Sequence, residues 1–228
     1  MPAPLSIVIP TLNAADGLPG TIAALVPGLE AGLIAELIVS DGGSKDGTLD
    51  IADAAGAVVV NGSPGRGGQI ARGVEAARAE WLLILHADTV LGPEWVEAAR
   101  GHINAHRDKA GYFRLQFRAQ GVWPGLIAAG ANLRSKFFGL PYGDQGLLIA
   151  WTMLEAQGGV PDIPLMEDVV LARRLKGRLR PLEAVAATSA ARYQRDGWLR
   201  RAFGNLVLLV RFALGATPED LAARYRAR

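Results

Sequence analysis

Cysteine is absent from the chain, and lysine is scarce beside arginine. The first absence removes disulfide staples, zinc–thiolate sites and thiol nucleophiles together. No apolar run approaches the ~20 residues needed to span a bilayer. The opening MPAPLSIVIPTLN also lacks the basic stretch and long apolar core of a secretion signal. Two phosphate-binding patterns are missing: neither G-x-G-x-x-G after the first β-rich run nor G-x-x-x-x-G-K-[ST] occurs, which disfavours a dinucleotide site and a P-loop. No stacking array or known motif for nucleic acid accompanies the basic residues. The expectation is a soluble, cytoplasmic protein that does not bind nucleic acid.

What the 228 residues do contain suits one globular domain: 50% are hydrophobic and 20% charged, enough to bury a substantial core. Net charge is +2, from 24 Lys+Arg and 22 Asp+Glu. That balance hides an asymmetry, because residues 1–168 carry 11 basic and 18 acidic side chains while residues 169–228 carry 13 and 4. An arginine-rich final quarter suits phosphorylated ligands or an anionic membrane surface; it is equally what a solvated helix face looks like.

The first half alternates short β-rich runs, at 5–10, 35–40, 57–60 and 81–86, with helical patterns near 17–31, 47–55, 67–79 and 93–107. Continuous apolar strands separated by helices predict an α/β fold with a mostly parallel sheet covered on both faces, whose ligands collect at the carboxyl ends of the strands. The four runs end on polar or turn residues, including Thr11 and Asn13, Asp41-Gly42-Gly43-Ser44, Asn61-Gly62, and His86 and Asp88. These ends are expected to converge on one cleft edge. Further on, a strand at 111–119, a helix at 123–138, a glycine-rich turn at 140–146 and helices at 165–177, 197–214 and after Pro218 are predicted.

Four segments carry chemistry. In IVSDGGSKDGT (38–48), Asp41 at a strand end could bond a ribose or base while Gly42 and Gly43 admit a nucleotide, or the segment is a plain tight turn. NGSPGRGGQIARG (61–73) could meet an anion with its amides and Arg66, or be a loop that needs several glycines. In HADT (86–89), Asp88 follows a buried strand and needs a donor or metal; Mg²⁺ or Mn²⁺ would share it with a diphosphate, and the imidazole of His86 tolerates Mn²⁺ better than Mg²⁺. In MEDVVLARR (166–174), Glu167 and Asp168 open a helix whose dipole favours acids there; a carboxylate so placed could instead take a proton from an attacking hydroxyl.

Together these segments resemble the family 2 glycosyltransferases, which have the GT-A fold. SIVIPTLNAADGL is similar to the family's opening strand and loop, ELIVSDGGSKDGT to its acidic nucleotide-binding turn, LLILHADT to its Asp-x-Asp metal motif and MEDVVLARRL to its Glu-Asp acceptor-base motif. HADT, PYGDQG, PLMEDVVLARRL and TSAARY together resemble a small bacterial subfamily with His-Ala-Asp in place of Asp-x-Asp. The resemblance implies an inverting hexosyltransferase that takes a UDP- or GDP-linked sugar and a divalent cation, Mn²⁺ or Mg²⁺. It places Pro10, Asn13, Asp41, Gly43 and Arg66 at the nucleotide, and Asp88, with His86 beside it, at the metal on the diphosphate. Asp168, with Glu167, becomes the acceptor base, and Asp144, Gln145, Arg192 and Tyr193 lie near the sugar or acceptor.

By the same resemblance the chain is one glycosyltransferase domain (1–228), with a nucleotide-sugar half (1–110), an acceptor half (111–195) and basic C-terminal helices (196–228). The helix GWLRRAFGNLVLLVRFALG (197–215) could lie on an anionic membrane near a lipid or lipid-linked acceptor, pack on the domain, or form a homodimer interface. Two rivals stand beside the transferase. A degenerate nucleotide- or glycan-binding protein would not need the Glu167-Asp168 pair, and a sugar-nucleotidyltransferase would carry basic residues in its first loop, where TLNAADGL has none.

Overall fold

The computed structural model describes residues 3–226. In chain order the first half holds β1 (Leu5–Thr11), α1 (Leu18–Ala23), α2 (Val26–Glu30), β2 (Ile34–Asp41), α3 (Thr48–Ala54), β3 (Val58–Asn61), α4 (Arg66–Ala76), β4 (Trp81–Ile84), β5 (Thr89–Leu91) and α5 (Trp95–Ala105). The second half holds β6 (Ala110–Phe117), α6 (Val122–Phe138), a 3-10 turn at Gly143–Gln145, β7 (Leu147–Ala150), α7 (Trp151–Ala156), α8 (Glu167–Arg174), β8 (Leu179–Thr188), α9 (Ala191–Asp196), α10 (Trp198–Ala213) and α11 (Pro218–Arg226).

All eight strands join one sheet in the order β3-β2-β1-β4-β7-β6-β8-β5. The β3-β2-β1-β4 half is parallel throughout. β7 then runs antiparallel to β4, β6 antiparallel to β7, β8 parallel to β6, and β5 antiparallel to β8. The apolar strands β1 and β4 are the centre of the core, because neither has a face to spare for water. Trp81, Trp95 and Phe113 are fully buried around them.

The single helix expected over 17–31 is two. Pro27 lacks the N–H that a continuous helix would need and sits where a new one starts, so α2 begins afresh. Three strands were not foreseen. β8 is rich in alanine and contains Pro181, which is tolerated because the β6–β8 register shifts beside it. β5 and β7 span three and four residues, too short for a period to register.

Candidate active site

The β1 and β2 ends are tied together. Thr11 Oγ1 donates to Asp41 Oδ1 at 2.9 Å, and Gly43 N and Ser44 N donate to Asp41 Oδ2 at 2.7 Å each. The Ser44 hydroxyl adds a further bond. Burial pushes this carboxylate up, but the Ser44, Thr11 and Gly43 bonds outweigh it and hold Asp41 below its ordinary value. Asn13, left-handed at φ 50°, accepts from Lys45 N at 2.8 Å and so joins the two loops.

The His86-Ala87-Asp88 turn links β4 to β5 and is pinned from the side of α1. Thr21 Oγ1 donates to Ala87 O at 2.9 Å. Gly17 lies so close that a Cβ there would sit 2.9 Å from Ala87 O and 3.0 Å from Asp88 Cα. Across the cleft, Arg66 is the first residue of α4, and the glycines after it serve contact rather than flexibility. A Cβ on Gly67 would fall 2.2 Å from Pro161 O, and Gly67 N donates to Ile163 O at 3.2 Å. That amide is therefore spent inside the protein, and it is the Arg66 side chain that reaches the cleft.

The cleft has two connected chambers. The outer one, about 560 Å³, is lined by Pro10, Thr11, Asn13, Asp16, Arg66, His86, Asp88, Arg118, Arg192 and Tyr225 among others, a size suited to a nucleotide-scale ligand. The inner one, about 150 Å³, is lined by Arg66, His86, Asp88, Phe117, Tyr142, Asp144, Asp168, Arg192, Tyr193, Arg201, Asn205 and Tyr225. Arg66, His86 and Asp88 face both. Asp168 Oδ2 accepts from Gly143 N at 2.9 Å and Oδ1 from Val169 N at 2.7 Å, which aims the carboxylate along the inner wall. The preceding Met166 is left-handed at φ 71°, so the helix begins abruptly at the acidic pair. Met166 and Asn13 are the non-glycine residues of positive φ among the described residues, and both line the cleft.

Most of the expected site residues thus meet: Pro10, Asn13, Arg66, His86, Asp88, Asp144, Asp168, Arg192 and Tyr193 share the two chambers. Four do not line them. Asp41 is buried under the loop it braces, and Gly43 donates to it from the loop's exposed side. Gln145 is fully buried: it accepts from Ser135 Oγ at 2.6 Å and donates to Phe113 O at 3.0 Å, so it ties α6 to the sheet instead of facing a ligand. Glu167 lies behind the wall, with Oε1 3.5 Å from Arg66 Nη1. The β3 end at Asn61-Gly62 also stays outside, because β3 is the sheet's edge; of the four parallel strands only β1 and β4 end on the chambers, so the expected convergence of all four ends is not met.

Residues from the tail close the cleft and were not singled out from sequence. Tyr225 Oη accepts from Arg192 Nη1 at 3.0 Å and Arg201 Nη2 at 2.8 Å, joining α9, α10 and α11 over the chambers. Tyr193 stacks on Trp198 at 5.1 Å and meets Phe117 edge-on at 4.9 Å. Tyr142 lies under the Arg134 guanidinium at 3.5 Å; the PYGDQG segment that supplies it was the available signal.

The electrostatics divide by depth. Burial pushes Asp144 up to about 6, Arg134 opposing and Asp168 reinforcing. Burial, then Asp168, push Glu167 up to about 7 against the pull of Arg66. Burial, then Arg66 and Arg192, push His86 well down, so its imidazole is neutral, and its Nε2 has no hydrogen-bond partner. No group of three or more His, Asp or Glu side chains is placed to hold a metal among the described residues. Asp88 and a neutral His86 are too few for an all-protein cage, but they fit a hard cation that takes most of its oxygens from a diphosphate. A chamber with cations and carboxylates on opposite walls can hold a diphosphate at one end and a hydroxyl at the other.

Among solved structures, S. aureus TarS matches over 91% of this chain and 39% of its own, at 17% identity and a TM-score of 0.62. TarS 1-349 in complex with UDP-GlcNAc matches over 82% and 58%, at 16% identity and 0.61. Glucosyl-3-phosphoglycerate synthase from Mycobacterium tuberculosis, in complex with Mn²⁺ and UDP-glucose, matches over 82% and 69%, at 21% identity and 0.58. The chain therefore spans well under half of the longest of these, and likeness at such identities speaks to the fold, which is GT-A. No curated protein matches the chain. The family model described as "Glycosyl transferase family 2" matches residues 6–130, more than half of the chain and the stretch that holds Arg66, His86 and Asp88. On that match the chain belongs to glycosyl transferase family 2.

Proposed function

We propose that the protein transfers a sugar, with inversion, from a UDP- or GDP-linked donor in the outer chamber to an acceptor hydroxyl in the inner one. The observation that carries this reading is that Arg66 and Asp88 face both chambers while Asp168 faces only the inner. In an in-line displacement the acceptor oxygen bonds the anomeric carbon as the bond from that carbon to the diphosphate breaks, and the nucleoside diphosphate leaves. Asp168 takes the acceptor's proton, a role typically contributing ~10²–10⁴-fold. Arg66 meets the charge developing on the leaving diphosphate. Asp88, with His86, would hold a divalent cation that supplies further neutralisation there. Glu167 acts through Arg66 as a positioning residue, and Asp144 and Arg192 border the sugar or acceptor.

Calorimetric titration of UDP and GDP tests this, with Mn²⁺, with Mg²⁺ and with EDTA, on wild type and Asp88→Asn. Metal-dependent binding that Asp88→Asn abolishes is expected. Tight binding indifferent to metal and to Asp88 would remove the cation from the scheme, and no binding of either nucleotide would refute the donor assignment.

A further inference from the structure

Of the fifteen large hydrophobic side chains exposed among the described residues, ten belong to α6 and α10, and an eleventh, Leu214, caps α10. They are not scattered. On α10, Leu199, Phe203, Leu206, Val210 and Leu214 recur at helical spacing and are 48% to 83% exposed. On α6, Val122, Leu126, Leu133 and Phe137 recur in the same way, opposite the face that Pro124, Ala128, Ala131 and Ser135 bury. The two helices pack on one another. Two exposed apolar stripes on helices that touch mark an interaction site rather than the ordinary scattered apolar share of a protein surface.

The charges on this face identify what covers it. α6 and α10 contain no Asp or Glu, and of their basic side chains Lys136, Arg200 and Arg211 are exposed, while Arg134 lies over Tyr142 and Arg201 turns inward to Asp196 and Tyr225. The acids adjoining them in sequence are off both helices, and the nearest, Asp196, is already held by Arg195 and Arg201. A second copy docked face to face would set arginine against arginine, which costs affinity. A surface of negative headgroups over an apolar interior satisfies both parts at once. No helix among the described residues is long and apolar enough to cross a membrane, so the match is to helices lying in the interface plane.

We propose that the α6–α10 face docks the protein on an anionic lipid bilayer. The placement relative to the cleft gives this a use. Arg201, Asn205 and Leu208, on the inward side of α10, line the inner chamber. Docking therefore sets that chamber within about one helix diameter, ~10 Å, of the headgroups. Together with the transfer reading, on which this last step alone rests, the geometry points to an acceptor hydroxyl carried on a lipid.

Flotation of the full chain with vesicles of phosphatidylcholine alone, and of phosphatidylcholine mixed with phosphatidylglycerol, tests the docking independently of turnover. Binding to the mixed vesicles only is expected. Arg200→Gln with Arg211→Gln should weaken it about 25-fold, since each basic side chain at the surface contributes roughly fivefold. Phe203→Asp with Leu206→Asp should abolish it with the melting temperature unchanged. Equal affinity for neutral and mixed vesicles, or no binding by a chain that melts normally, overturns the proposal. So does a dimer in sedimentation equilibrium that the Phe203→Asp pair dissolves, because the face would then belong to a second copy. UDP titration of the same variants separates the two readings: nucleotide binding should survive the loss of docking.

Discussion

Glu167 Oε1 lies 3.5 Å from Arg66 Nη1, with the carboxylate buried behind the cleft wall and the guanidinium half-buried in front of it. The pair joins the first turn of α8 to the first turn of α4, two helices distant in sequence that bound the same cleft. Arg66 does not fully neutralise its partner, because burial and the adjacent Asp168 dominate and raise the Glu167 carboxyl to about 7.

This makes folding bind a proton. The folded carboxyl holds it up to about pH 7, whereas the ordinary value for glutamate is 4.5, so stability should fall as pH rises between those limits and level off above them. The term is on the order of 3 kcal/mol at most. Glu167→Gln, which cannot ionise, should flatten the slope in urea unfolding measured at pH 5 and pH 8. An unchanged slope would show that the carboxyl is already ionised at pH 5.

Arg66 should matter most to the donor. Charge-assisted bonds to a diphosphate are worth ~1.5–3 kcal/mol each, so Arg66→Met should weaken UDP binding about 10- to 100-fold. Arg66→Lys should recover little of that, since an ammonium cannot present the planar fork. Calorimetry that finds the Lys variant equal to wild type would mean that Arg66 acts only as a point charge.

The turn that carries Asp88 depends on a missing side chain. Gly17→Ala would put a Cβ 3.0 Å from Asp88 Cα and 2.9 Å from Ala87 O, tighter than packed atoms accept. Overpacking of this kind costs ~1–3 kcal/mol, and melting should fall by roughly 2–4 °C for each. UDP affinity should fall with it, because Asp88 moves with the turn. A variant that melts lower yet binds UDP as wild type would detach Asp88 from the donor.

How far the sequence reveals this site follows from which interactions are local. β1, β2, β4 and the helices between them are legible because each is a run with one period and a clear stop, and Arg66, His86 and Asp88 sit at such stops. Gln145 and Asp41 mislead for a common reason: a polar residue in a glycine-rich turn looks the same whether it faces a ligand or braces its own loop. Only the partners decide, and those of Gln145 come from α6 and β6. Tyr225 gives no signal at all. Its importance arises from α11 folding back to place one hydroxyl between Arg192 and Arg201, more than twenty residues away.

That hydroxyl yields another prediction. Tyr225 accepts from two guanidinium groups, Arg192 bordering both chambers and Arg201 the inner one, and no other acceptor bonds Arg192 among the described residues. Tyr225→Phe removes the acceptor while keeping the ring, at a cost of ~1–3 kcal/mol for bonds to charged groups. Thermal unfolding should show α11 loosened first, as raised amide exchange over 218–226 before any change in β1 or β4. Exchange that rises uniformly would place α11 within the cooperative core instead.

Asp144 and Asp168 line the inner chamber and not the outer one, and their chemistry separates them. Asp144 is raised to about 6, first by burial and then by Asp168, so it is largely ionised above pH 7 and largely protonated at pH 5. Asp168 is held by two backbone amides, Gly143 and Val169, which fixes its direction as a base requires. Asp168→Asn should therefore lower turnover ~10²–10⁴-fold while leaving UDP affinity intact, since it does not line the outer chamber. Asp144→Asn should lower it less and should remove the limb of the pH–rate profile near pH 6. Release of nucleoside diphosphate from UDP- and GDP-sugars, followed from pH 5 to 8 for both variants, reads the two effects together. If Asp144→Asn is the more damaging and Asp168→Asn keeps turnover near that of wild type, the base is Asp144 and the assignment of Asp168 is wrong.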